Sequence, residues 1–199
     1  MAHALQFNRA DTKEWTELSA LIAVTWTILM CFHADNQPPI DPIASAAIIQ
    51  RSLVLIASDH NRFSAYEARP ATPAGAGILI LPDARGLNAY YQELGLRFAE
   101  RGVAALAIDL FGRTAGLGPR DDPFEPTPRV GRTNRASVRM DIAAGVAALR
   151  DRRGAAARAV FPIGFCYGGR AALLAATMGL NLAGVIGFYG WPHRRSMGD

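Results

Sequence analysis

Residues 160–176 read VFPIGFCYGGRAALLAA. An apolar run of strand character turns on closely spaced glycines and continues in helix-forming residues. At the apex stands Cys166, flanked by Gly164 and Gly168. A strand, a tight turn and a helix in direct succession form the carboxyl edge of a βα unit, and this fixes much of what can surround it.

Three readings of the turn are open from the residues. A phosphate-binding loop needs G-x-x-x-x-G-K-[ST]. Gly164 and Gly169 keep that spacing, but Arg170 and Ala171 stand at the lysine and hydroxyl positions. A buried structural thiol is the second reading, since cysteine packs as a small hydrophobe. The third is a nucleophile elbow, small-x-nucleophile-x-small, in which side chains beside the apex would collide. Gly164-Phe165-Cys166-Tyr167-Gly168 meets that pattern. The elbow lifts the thiol clear of the sheet, aims the Tyr167 amide at a developing oxyanion, and sets the positive helix end beside the sulfur. It fits best.

The rest of the chain supplies the matching rhythm. Residues 53–57 and 63–68 read as a strand pair around SDHN, and AGILILP (76–82) and VAALAIDL (103–110) as strands buried on both faces. Helices are expected over 89–102 and 135–151, with further strands over 158–163 and 183–190. The Pro- and Gly-rich stretch 111–132 reads as a long loop. Strands alternating with helices imply an α/β fold with a mostly parallel sheet.

Composition excludes several classes. The net charge of +4 comes from scattered arginines without interleaved aromatics, so nucleic-acid binding is not expected. Two cysteines, Cys31 and Cys166, form no disulfide framework and lack metal-ligand spacing, which favours a reducing, cytoplasmic setting. The apolar segment Leu18–Phe32 is shorter than the roughly 20 residues of a membrane span. It also lacks the flanks of a signal peptide, so a membrane association is not expected. NQPPIDPIA (36–44) reads as a linker. Residues 1–37 are therefore taken as an N-terminal extension and 38–199 as the folded domain.

From about Pro39 to Pro192 the sequence resembles the dienelactone hydrolase family, α/β-hydrolases with a cysteine nucleophile. The resemblance rests on GFCYGGRAALL, on LPDARGLNAYYQELGLRFAERGVAALAIDLFGR, and on GFYG after the nucleophile helix. It implies an α/β-hydrolase fold, with helices on both faces of the sheet, acting on a small-molecule ester or lactone without metal or cofactor. Cys166 would be the attacking thiolate. Asp83 stands where the family has an acidic residue, usually glutamate, that contacts the resting thiol; aspartate is one methylene shorter. The Ala84 and Tyr167 amides would form the oxyanion hole, and Arg113 would hold a substrate carboxylate, a task suited to a planar two-pronged donor. Asp109, at a strand end, is expected to hold loops in place rather than act as a triad acid.

The triad of such enzymes runs nucleophile, acid, histidine along the chain. After Cys166 this sequence holds one acid, Asp199, and one histidine, His193, the latter too early after the elbow for the base. The expectation is a partial domain lacking the C-terminal strands and helices, with impaired hydrolysis. The alternative is a non-catalytic remnant or binding domain with a reactive thiol. Oligomeric state is left open by the sequence.

Overall fold

A computed structural model describes residues 31–72, 75–120, 124–151 and 155–190. The chain divides into two units, Met1–Met30 and Cys31–Asp199, and the description concerns the second. The apolar stretch up to Met30, His193 and Asp199 lie outside the described residues.

The elements are β1 (Ile48–Ile56), β2 (Arg62–Pro70), β3 (Ala76–Leu81), α1 (Ala89–Glu100), β4 (Ala104–Ile108), α2 (Gly112–Ala115), α3 (Pro126–Val130), α4 (Arg135–Arg150), β5 (Ala159–Phe165), α5 (Tyr167–Ala175) and β6 (Ile186–Phe188). They build one six-stranded sheet in the order β1-β2-β4-β3-β5-β6. β1 and β2 form an antiparallel hairpin, and β2 joins β4 antiparallel. β4, β3, β5 and β6 run parallel. The strand pair around SDHN, the apolar strands and both long helices thus stand where their periodicity places them, within a few residues. The stretch 111–132 departs from expectation because it carries the two short helices α2 and α3.

Alternation along the central strands splits the core. Leu79 and Leu81 of β3, with Leu106 and Ile108 of β4, pack under Val138, Ile142, Val146 and Leu149 of α4 and against α5. Ile80, Ala105, Ala107 and Ile163 face the other way, toward Tyr90, Tyr91 and Leu94 of α1. Each face therefore receives one period-3.6 stripe of apolar side chains. α4 begins at a capping box, in which the Asn134 side chain accepts from the Ser137 amide at 2.9 Å.

The stretch 111–120 is tied down by Asp109 at the end of β4. Its carboxylate is fully buried and receives Arg120 Nη2 at 2.7 Å. Arg120 also donates to the Gly116 carbonyl at 2.6 Å and lies over the Phe124 ring at 5.1 Å. Burial pushes the Asp109 carboxyl up, and Arg120 opposes that shift. Asp109 thus holds a loop.

Two close approaches set the carboxyl edge of the sheet. A Cβ on Gly168 would sit 2.0 Å from the Leu81 carbonyl oxygen, and one on Gly164 would sit 2.0 Å from that of Gly168. The start of α5 lies directly against the ends of β3 and β5, at a distance only glycine permits.

Two substitutions test these supports. Arg120→Ala leaves the Asp109 charge buried and alone, so stability to urea should fall by about 3 kcal/mol; a loss below about 1 kcal/mol would contradict the tie. Gly168→Ala forces α5 off β3 and should cost about 3 kcal/mol by the same measurement, beyond any gain in helix propensity.

Candidate active site

Cys166 is held at φ 52°, ψ −111°, between the last residue of β5 and the first of α5. A positive φ is costly for a residue with a Cβ, and here the flanking turn imposes it. The backbone is pinned on both sides. Cys166 N–H donates to the Phe188 carbonyl at 3.0 Å, and the Cys166 carbonyl accepts from Arg170 N–H at 3.2 Å. The residue is 9% exposed, so its thiol sits just beneath the surface.

β3 and β5 are paired with Leu81 opposite Gly164. Asp83 and Cys166 each follow two residues later, which brings them off neighbouring strands at one level. Asp83 is fully buried, and backbone donors fix its carboxylate: Phe32 N–H reaches Oδ2 at 2.7 Å and Arg85 N–H reaches Oδ1 at 2.8 Å. The Asp83 amide in turn donates to Tyr91 Oη at 3.1 Å. Burial pushes the Asp83 carboxyl up; its hydrogen bonds work in the opposite direction.

A residue that sequence reasoning did not place here completes the group. Cys31 is buried in the same core cluster as Ala84 and Cys166, and the residue after it is bonded to Asp83. Cys31 is 6% exposed. The residue after it is anchored firmly. Besides its amide bond to Asp83, Phe32 accepts from Asn88 Nδ2 at 2.9 Å and stacks on Tyr90 with ring centroids 4.0 Å apart. Residues 31–32, read from the sequence as part of the N-terminal extension 1–37, pack around Asp83. Nothing local in HADNQPP or the preceding apolar run signals this, because the contacts span more than fifty positions.

The hydrogen bond from Cys31 pulls the Cys166 thiol below its ordinary range, and the Tyr167 amide and the Arg170 guanidinium act in the same direction. Desolvation and the nearby Asp83 charge oppose them. The Cys31 thiol moves the other way, upward, because its proton is engaged by Cys166 and it is buried. The two thiols are thus shifted in opposite directions, Cys166 down and Cys31 up.

The amides of Ala84 and Tyr167 lie at this centre, facing the sulfurs of Cys31 and Cys166 respectively. The Tyr167 side chain points back into the core. Its hydroxyl donates to Thr133 Oγ1 at 2.7 Å, its ring stacks on Phe111 at 5.4 Å, and burial pushes its hydroxyl up to about 12.

Arg113, at the start of α2, has other partners. Its guanidinium pairs with Asp59 and with Asp141 of α4, with Nη2 reaching Asp141 Oδ1 at 2.8 Å and Asp59 Oδ1 at 2.9 Å. Asp141 is buried, whereas the Asp59 side chain is 34% exposed. Arg113 holds Asp59 down at about 2. The cleft beside this pair is lined by Arg132, Asn134 and Ser137. The structure therefore gathers Cys166, Asp83, Ala84 and Tyr167 at one point and sets Arg113 in an ionic cluster with Asp59 and Asp141.

Comparisons with known proteins agree with the fold. Among solved structures, a Klebsiella pneumoniae protein named as a dienelactone hydrolase superposes with a TM-score of 0.64 at 23% identity, covering 77% of this chain and 65% of that one. A dienelactone hydrolase-like promiscuous phosphotriesterase from metagenomic libraries superposes with a TM-score of 0.59 at 27% identity, over 72% and 60%. A Bradyrhizobium sp. protein named for 2-oxo-3-(5-oxofuran-2-ylidene)propanoate lactonase activity is 30% identical over 142 residues, covering 68% of this chain. A Salmonella typhi protein named for carboxymethylenebutenolidase activity is 27% identical over 164 residues, or 77% of this chain. The chain spans 54% and 60% of the length of these last two relatives. The family model for dienelactone hydrolases matches residues 63–198. With an α/β-hydrolase sheet, a cysteine elbow at its carboxyl edge and that match across more than half its length, the chain belongs to the dienelactone hydrolase family.

Proposed function

We propose that Cys166 is the nucleophile of an ester- or lactone-hydrolysing site, and that in these 199 residues acylation outpaces deacylation. The observation that carries this reading is the elbow, where a thiol strained to positive φ stands at the N-terminus of α5 with backbone amides around it. The Cys166 thiolate attacks the carbonyl carbon of the substrate. The Ala84 and Tyr167 amides receive the negative charge on the carbonyl oxygen, with Cys31 giving up its place before Ala84. The alkoxide takes a proton from solvent water as it leaves, and a water molecule then cleaves the thioester, giving the acid and returning that proton to solvent as the thiolate re-forms. Asp83 is the acidic residue that takes the proton from the resting thiol.

Release of the acyl group needs a base to activate water. No histidine is placed at Cys166 among the described residues, and removing the base of a triad costs several orders of magnitude in rate. Slow deacylation follows. No metal or organic cofactor takes part. The names of the relatives concern lactones, which supports a small lactone or ester as substrate.

Arg113 is the proposed contact for a substrate carboxylate. Of its two partners Asp141 is buried and stays, whereas Asp59 is accessible and can be exchanged for a substrate carboxylate at small cost. A reducing compartment such as the cytoplasm keeps both thiols reduced.

Stopped-flow measurement with a chromogenic acetate ester tests the reading on the full chain and on Cys166→Ala. The expected result is a burst approaching one equivalent per chain followed by slow turnover. In Cys166→Ala the burst should be lost and the rate should fall roughly a thousandfold or more. A folded sample without a Cys166-dependent burst would leave the alternative, a binding domain with a reactive thiol.

A further inference from the structure

We infer that Arg85 is a specificity-determining residue, the cation that receives a carboxylate carried on the acyl part of the substrate. This rests on the proposed role of Cys166 and deepens it. Of residues 81–88, all but Arg85 are buried. The segment runs along the elbow. A Cβ on Gly168 would sit 2.3 Å from the Pro82 carbonyl oxygen, and Ala84 is buried in the cluster that holds Cys166. Arg85 is therefore the one side chain of this segment that a substrate arriving from solvent can meet on its way to the nucleophile.

Its placement follows from Asp83. That carboxylate takes the Phe32 amide on Oδ2 at 2.7 Å and the Arg85 amide on Oδ1 at 2.8 Å, so two chain segments meet over one side chain. At the surface beside them Arg85 Nη2 lies 3.1 Å from His33 Nε2. A guanidinium only donates, so the ring nitrogen accepts and brings no negative charge. Among the described residues no carboxylate pairs with Arg85, and its Nε is buried without an acceptor. Arg97, Arg113 and Arg120 are by contrast each paired with carboxylates, of Glu93 and Glu100, of Asp59 and Asp141, and of Asp109. A half-buried guanidinium without a counter-charge is a costly arrangement that a bound anion relieves. A carboxylate matches its planar donors two-pronged, through charge-assisted hydrogen bonds. Arg85 takes such an anion without giving up a carboxylate, whereas Arg113 must first exchange one.

The test is alkylation of Cys166 on the full chain by iodoacetate and by iodoacetamide, reagents of nearly the same shape of which only the first carries a carboxylate. Each rate is followed by the mass of the Cys166 peptide, and the ratio of the two cancels any change in the thiolate fraction. Arg85→Gln and Arg85→Met should each lower the iodoacetate-to-iodoacetamide ratio about tenfold, as loss of a charge-assisted hydrogen bond requires. Either variant suffices if the other fails to fold. Arg158 is exposed and precedes β5, at the end of that strand opposite Cys166. Arg158→Gln removes the same charge there and should leave the ratio as it is. An unchanged ratio in Arg85→Gln and Arg85→Met overturns the inference. So does an equal fall in Arg158→Gln, which would mean that net charge rather than a local contact matters. Neither reagent is an ester, so the two readings fail separately. A lost burst with a lowered ratio would reject the hydrolase reading and leave Arg85 as the anion contact of a reactive thiol. An intact burst with an unchanged ratio would reject Arg85 alone.

Discussion

The contact between Gly168 and the Leu81 carbonyl governs the arrangement of this molecule. Backbone packs on backbone there, with no room for a methyl group. The closeness of α5 to β3 brings the turn at Cys166 and the loop at Asp83 to the same height above the sheet, since Leu81 is paired with Gly164. The positive φ of Cys166 is the local consequence. Strain of this kind persists only where the surroundings over-determine it. Here they do so through two backbone hydrogen bonds and two obligatory glycines.

A second constraint is electrostatic. Asp83, Cys31 and Cys166 occupy one nearly dry space, and the three together hold more titratable protons than negative charges can be tolerated there. Burial raises the carboxyl, a donor lowers one thiol, and the other thiol rises in exchange. Of the three groups, Cys166 alone is shifted toward its charged form, by Cys31 first and then by the Tyr167 amide and Arg170.

The legible parts of the sequence are those in which a local pattern meets a local requirement. Branched apolar runs gave β3 and β4, the spacing of Tyr90, Leu94 and Ala99 gave the buried face of α1, and Gly164 and Gly168 marked the elbow. The loop-holding role of Asp109 was legible too, from its position at a strand end. Its partner Arg120 was not, because the pair is made by a chain excursion with no periodicity, and the short helices within that excursion lack the length to show a period. The partners of Arg113 come from Asp59 and Asp141, far away in sequence on either side. Cys31 is the extreme case. It sits in a run whose composition suggests only apolar packing, and its contacts with Asp83 and Cys166 depend wholly on tertiary structure.

The two faces of the sheet support different parts of the site. The α1 face carries Tyr91, which receives the Asp83 amide, and Tyr90, on which Phe32 is stacked. Phe165, on the same face, meets the Phe32 and Tyr91 rings at 5.8 and 5.7 Å. The α4–α5 face carries Phe111 and Thr133, which fix the Tyr167 ring and hydroxyl and so orient the amide of that residue. The Asp83 carboxylate is thus supported by one core, and the Tyr167 amide of the elbow by the other. They meet at Cys166, the first residue beyond the strand that both cores share. On the proposed reading, a packing change on the α1 side should therefore act on the surroundings of Asp83, whereas one on the α4–α5 side should act on the Tyr167 amide. That division follows from the alternation of side chains along β3 and β5, and it places the chemistry at the seam where neither core alone determines the geometry.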